Sequence, residues 1–133
     1  MWTPRSIIAW VWTLVVFGLC WAPRRLLPVQ EEHAVPFLFA SFDKVVHFAL
    51  FAGFAFLWMF TGRFKARWVL VAGFAVAALS ELGQALPIVN RDAEWPDGLA
   101  DALGVLVGCA VYQFGAVFFL TPRNPPVKSE QVG

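Results

Sequence analysis

The chain has 133 residues, enough for one domain, and is 59% hydrophobic but only 14% charged, where a soluble globular protein carries roughly 25% charged residues. Its formal net charge of +1 excludes a polybasic nucleic-acid binder and leaves no argument from long-range electrostatic steering. Four apolar stretches instead predict an all-α, polytopic membrane protein, a four-helix transmembrane bundle occupying residues 1–122.

The first predicted span, about 6–22, reads SIIAWVWTLVVFGLCWA and can cross a bilayer core of ~30 Å with help from its flanks. A cleaved signal peptide is the rival reading. No small-x-small cleavage site follows, however, and Leu19 stands before Cys20, where a lipoprotein signal needs a small residue. Residues 23–42 read as a connector: Pro23, Pro28 and Pro36 break helices, and Arg24, Arg25, Glu31, Glu32 and His33 keep it in water. Its end, PFLFASF, suits a segment lying in the membrane interface.

The second span, about 43–61, starts at Asp43, a natural N-cap whose carboxylate also complements the helix dipole. A short basic connector, GRFKAR, leads to the third span, about 68–86, which Pro87 ends. The fourth span, about 97–120, lies between Pro96 and Pro122. Within it Gly104 and Gly108 form a G-x-x-x-G pair, extended by Ala100, that would admit another helix or a second copy of the chain in a homo-oligomer. Residues 123–133 read as a disordered cytoplasmic tail. Cys20 and Cys109 fall at different depths of two spans, so neither a disulfide nor a shared metal is expected.

Lys and Arg set the orientation. With the N-terminus in the cytoplasm the inner segments hold Arg5, Arg63, Lys65, Arg67, Arg123 and Lys128, and the outer ones Arg24, Arg25, Lys44 and Arg91. The all-basic hairpin carries most weight, giving a multi-pass protein of the inner membrane with both termini cytoplasmic.

The polar residues then gather at one end. Asp43 and His47 are four apart on the second span, Glu81 and Gln84 three apart on the third, and Asp97 and Asp101 four apart on the fourth. Each pair therefore shares a helix face. His47, Glu81 and Asp101 fall at similar depth from the outer boundary, and an ionisable group in hydrocarbon is costly enough to mark a site. Taken singly, each has a plainer reading. Asp43 and Asp97 serve as helix caps, His47 as a core histidine, Glu81 and Gln84 as interhelical hydrogen-bonding groups, and Lys44 as a snorkelling cation. Jointly they make candidate catalytic residues of His47, Glu81, Asp97 and Asp101, and a candidate binding set of these four with Asp43, Lys44, Gln84 and Arg91.

The ordered set Asp43-Lys44-Val45-Val46-His47-Phe48, Glu81-Leu82-Gly83-Gln84, Pro87 with Arg91, and Asp97-Gly98-Leu99-Ala100-Asp101 through Gly104 resembles the VanZ-like family of small bacterial membrane proteins. That family shows D-K-x-x-H-F, E-x-x-Q, an arginine after a proline, and D-x-x-A-N-x-x-G in this order. Asp101 departs from the pattern, standing where the family usually has asparagine. The resemblance implies a protein of the bacterial cell envelope and, through the family's name, a link to glycopeptide antibiotic resistance.

Three functional expectations follow. The first is an outer-leaflet polar site that binds membrane lipids or a lipid-linked cell-wall precursor. The second is an enzyme using the carboxylates and imidazole for metal-assisted or acid–base chemistry on a lipid phosphate, with a divalent metal as its cofactor. The third is a structural or accessory subunit. No H-E-x-x-H or Gly-rich phosphate motif supports the enzyme directly.

Overall fold

The computed structural model describes residues 2–22, 36–87, 89 and 95–120, with backbone alone at 36–41, 119 and 120. These form four helices, α1 (Pro4–Cys20), α2 (Pro36–Phe60), α3 (Ala66–Gln84) and α4 (Trp95–Leu120), and no strand is present among the described residues. The connector cations and acids Arg24, Arg25, Glu31, Glu32 and His33, the loop residues Arg91, Asp92 and Glu94, and the tail 123–133 lie outside the described residues.

α1 starts where local chemistry directs it. Thr3 caps the helix by accepting from the Ser6 N–H at 3.3 Å, Ser6 Oγ accepts from the Thr3 N–H in return, and Pro4 occupies the first turn, where its missing N–H costs nothing. At 17 residues and ~1.5 Å per residue α1 is shorter than a ~30 Å hydrocarbon core. Exposed Trp2 and Trp21 flank it, as aromatic side chains do at the two membrane interfaces. The other three helices each contain a stretch long and apolar enough to cross a membrane.

The apolar stretch Phe42–Phe60 coincides with the expected second span, but the helix that carries it starts earlier. α2 begins at Pro36, not Asp43, so PFLFASF is its first turns rather than part of a connector. Proline at the first helical position starts a helix as readily as it breaks one, and nothing between Pro36 and Asp43 interrupts it. Asp43 therefore lies inside α2 and does not cap it. Asp97 is not a cap either: α4 starts at Trp95, and Asp97 sits in the first turn, where a carboxylate still complements the dipole. At its other end α2 closes with the Thr61 N–H on the Leu57 carbonyl at 3.1 Å and the Gly62 N–H on the Met59 carbonyl at 3.0 Å. Gly62 takes φ +67°, the left-handed conformation that lets so short a hairpin turn.

α2 is the centre of the bundle. It contacts every other helix, and its seam with α4 is the most extensive in the molecule. That seam is close because Gly104 and Gly108 lie against backbone: a Cβ at 104 would strike the Phe48 carbonyl and one at 108 the Ala52 carbonyl. The G-x-x-x-G stripe is thus filled from within the chain, by α2. α1 packs on α2 through Trp12, whose Nε1 donates to the Leu50 carbonyl at 2.9 Å, and through Trp58, whose Nε1 donates to Thr13 Oγ1 at 3.1 Å. α1 meets α3 only sparsely. There the Trp21 ring covers Gly83 and donates to the Ser80 carbonyl at 3.3 Å, while Gln84 Nε2 donates to the Cys20 carbonyl at 3.2 Å. Cys20 and Cys109 are buried and not disulfide-bonded.

The up-and-down arrangement gives the bundle two ends. One, the hairpin end, holds the start of α1 and the α2–α3 turn. The other, the polar end, holds Asp43, His47, Glu81, Asp97 and Asp101. Only 28–33% of each spanning stretch is buried inside the protein, so most of the apolar surface faces outward, the pattern of helices solvated by lipid.

Replacing Gly104 with leucine forces a side chain into the α2 backbone, whereas nothing lies within 4 Å of a Cβ at Gly115. Gly104→Leu is expected to destabilise by about 1–3 kcal/mol or more, the usual cost of overpacking. Gly115→Leu should stay close to the native melting temperature, both read by thermal unfolding in detergent.

Candidate functional site

The site is built on the same seam. Asp101, Gly104 and Gly108 share one face of α4, and the approach that the glycines permit brings Asp101 against His47 of α2. His47 Nδ1 and Asp101 Oδ1 are 2.9 Å apart, with His47 2% and Asp101 0% exposed. An ionised Asp101 can only accept, so Nδ1 carries the proton and, in a neutral ring, Nε2 keeps its lone pair. A carboxylate that fixes a histidine tautomer in this way is the usual support for a metal-binding or proton-transferring imidazole. The second oxygen, Asp101 Oδ2, is buried without a hydrogen-bond partner among the described residues. A polar atom buried in that state is costly and calls for an explanation.

Two overlapping triads surround His47. Ligand atoms of His47, Glu81 and Asp101 all lie within 4.8 Å of one another, and so do those of Asp43, His47 and Asp97. Helical spacing explains the sharing: Asp43 and His47 are one turn apart on α2, and Asp97 and Asp101 one turn apart on α4. Imidazole together with carboxylate oxygens is a donor set that suits Mn²⁺ or Zn²⁺. Lys44 brings a compensating positive charge, its Nζ 3.3 Å from Asp97 Oδ1. The Asp97 oxygen accepts no hydrogen bond in that geometry, so the contact is an ion pair alone. Asp97 is 4% exposed, while Lys44 reaches partly outward.

The residues expected from sequence thus divide. Asp43, Lys44, His47, Glu81, Asp97 and Asp101 come together. Gln84 is buried beside them in sequence but spends its amide N–H on α1, fastening that helix to α3. Arg91 lies outside the described residues. The sequence reading missed Ser80, fully buried with an Oγ that has no hydrogen-bond partner among the described residues. Its one-turn spacing from Gln84 on the buried face of α3 was the available signal.

Removing the Asp101 carboxylate leaves His47 Nδ1 buried without an acceptor, a loss worth about 1–3 kcal/mol. Asp101→Ala should therefore melt well below the native protein in detergent. Asp101→Asn keeps an acceptor toward Nδ1 and removes one of four crowded carboxylates, so it should melt close to the native temperature.

Neither a curated protein nor a solved structure matches the chain significantly. A family model described as VanZ/LLP1 matches residues 4–119, which take in α1 to α4 almost entire and every group of the polar cluster. The match therefore spans the three helices that bring Asp43, Lys44, His47, Glu81, Asp97 and Asp101 together. This chain is an integral membrane protein that belongs to the VanZ/LLP1 family.

Proposed function

We propose that the polar end is the working site of a cell-envelope membrane protein, which holds a divalent cation and through it binds the phosphate-bearing head of a lipid-linked cell-wall precursor. The observation that carries this reading is the pair of triads that share His47, each with its ligand atoms within 4.8 Å. Four carboxylates so close together repel one another, and Asp101 Oδ2 is buried with no hydrogen-bond partner among the described residues. A divalent cation held by these residues would offset that repulsion, use the buried Asp101 oxygen and supply a Lewis acid for phosphate oxygens. His47, with Asp101 behind it, is the acid–base group such a site offers if the bound phosphate ester is also turned over. Membrane lipids supply the surroundings: the outward faces of the helices are apolar on all sides of the cluster.

The all-basic hairpin favours a cytoplasmic hairpin end, which places the polar end at the outer leaflet of the bacterial inner membrane. In a background lacking Cys20 and Cys109, a single cysteine at Leu86 is expected to react with an impermeant maleimide in intact cells and one at Lys65 is not. The reverse pattern moves the site to the cytoplasmic face.

A second reading is favoured by the His47–Asp101 and Lys44–Asp97 contacts, each of which joins α2 to α4: the cluster is a structural ion network of an accessory subunit. Cation binding separates the two. Mn²⁺ titrated into EDTA-treated protein in mild detergent should raise the melting temperature and give a bound-metal electron paramagnetic resonance signal. A polyprenyl phosphate should add a further shift only when the metal is present. Glu81→Gln, and His47→Asn, whose amide N–H can still donate to Asp101, should stay folded and lose both responses, and in cells should lose any effect of the gene on glycopeptide susceptibility. A native protein that binds no Mn²⁺, with variants that melt far below it, establishes the structural network instead.

A further inference from the structure

The hairpin end holds a feature that the polar site does not use. α1 and α3 are fastened together at the polar end by Trp21 and Gln84, but their contact is otherwise sparse. Between them a cleft of about 480 Å³ opens, floored by Phe54 and Trp58 of α2 and walled by Trp10 of α1 and by Trp68, Ala72 and Val76 of α3. Its lining is almost wholly apolar. At roughly 30 Å³ per methylene, about the volume a water molecule takes in the liquid, it has room for most of one acyl chain.

Trp10, Trp58 and Phe64 also wall an adjoining recess of about 350 Å³, where Ser6 and Arg63 bring polar and cationic groups. The cleft therefore runs from an apolar interior to a cationic mouth. Charge is divided along the whole bundle in the same sense. Among the described residues every carboxylate belongs to the polar end, while Arg5, Arg63, Lys65 and Arg67 all stand at the hairpin end. Arg5 and Arg67 lie over aromatic rings there, 4.6 Å from the Phe60 centroid and 5.5 Å from that of Trp68, cation–π contacts that hold long side chains near the interface.

We infer that this cleft is a binding site for one anionic glycerophospholipid from the leaflet at the hairpin end, with an acyl chain between α1 and α3 and its phosphate at Arg63. An apolar slot between helices in a membrane is filled by lipid chains, since leaving it void forfeits their dispersion contacts. The basic mouth selects the anionic head over a zwitterionic one. The site is independent of the polar end and stands or falls without it.

The tryptophans supply the test, because bromine atoms on an acyl chain quench indole fluorescence at contact. The full chain in phosphatidylcholine nanodiscs is compared at equal low mole fractions of chain-brominated phosphatidylglycerol and chain-brominated phosphatidylcholine. Quenching by the phosphatidylglycerol is expected to be severalfold stronger and to saturate. Ala72→Phe, which fills the cleft from an exposed position of α3, should remove that excess while melting normally, and Arg63→Gln, at the recess, should remove it too. Equal quenching by the two lipids, a response that rises without saturating, or an excess that survives either variant overturns the inference.

Discussion

The closeness of α2 and α4 is the constraint on which the rest depends. Two glycines of α4 lie directly on the α2 backbone at Phe48 and Ala52, a distance that any side chain would forbid. In hydrocarbon such an approach is a main source of helix association, because burial of apolar surface gains little when the alternative solvent is equally apolar. One turn nearer the polar end the same two faces carry His47 and Asp101, and the approach sets them 2.9 Å apart. Lipid offers no water to satisfy either group, so the pair is made inside the protein. The glycine stripe and the buried pair are two parts of one seam.

The other two helices complete the molecule in unlike ways. α3 brings Glu81 to the cluster and presses Gly73 onto Val105 of α4. α1 adds nothing to the cluster. It is tied to α2 by indole donors and to α3 only at one end, where Trp21 covers a glycine and Gln84 reaches the last carbonyl of α1. Fastening at one end alone is what leaves the wedge between α1 and α3, so the polar clasp and the apolar cleft have a common cause. Among the described residues the two ends of the bundle differ in kind, one acidic and compact, the other basic, aromatic and cleft.

Asp101 deserves separate weight because it departs from the asparagine of the family pattern. An asparagine here would satisfy the imidazole and add no charge. The aspartate instead joins Asp97, Asp43 and Glu81 around one histidine, raising repulsion in a place where screening is weak. Among the described residues Asp101 meets His47, while Lys44 meets Asp97.

Sequence alone determined which segments are helical, that lipid surrounds them, and that the ionisable residues of α2, α3 and α4 gather at one end. All of this follows from local quantities: apolar length, the period of 3.6 and the alternation of direction at each turn. The GRFKAR turn and the close-packing face at Gly104 and Gly108 were legible for the same reason. The start of α2 was not. Proline opens a helix or ends one depending on what precedes it, and a carboxylate that resembles a cap at Asp43 is equally at home two turns inside. Tertiary structure also decided the pairings. Spacing places Gln84 beside Glu81 on α3, but only the position of α1 turns its amide toward Cys20 and leaves Glu81 to the cluster. It likewise decided that the glycine stripe would be filled by α2, because a helix face states how closely something can approach and not what will approach it.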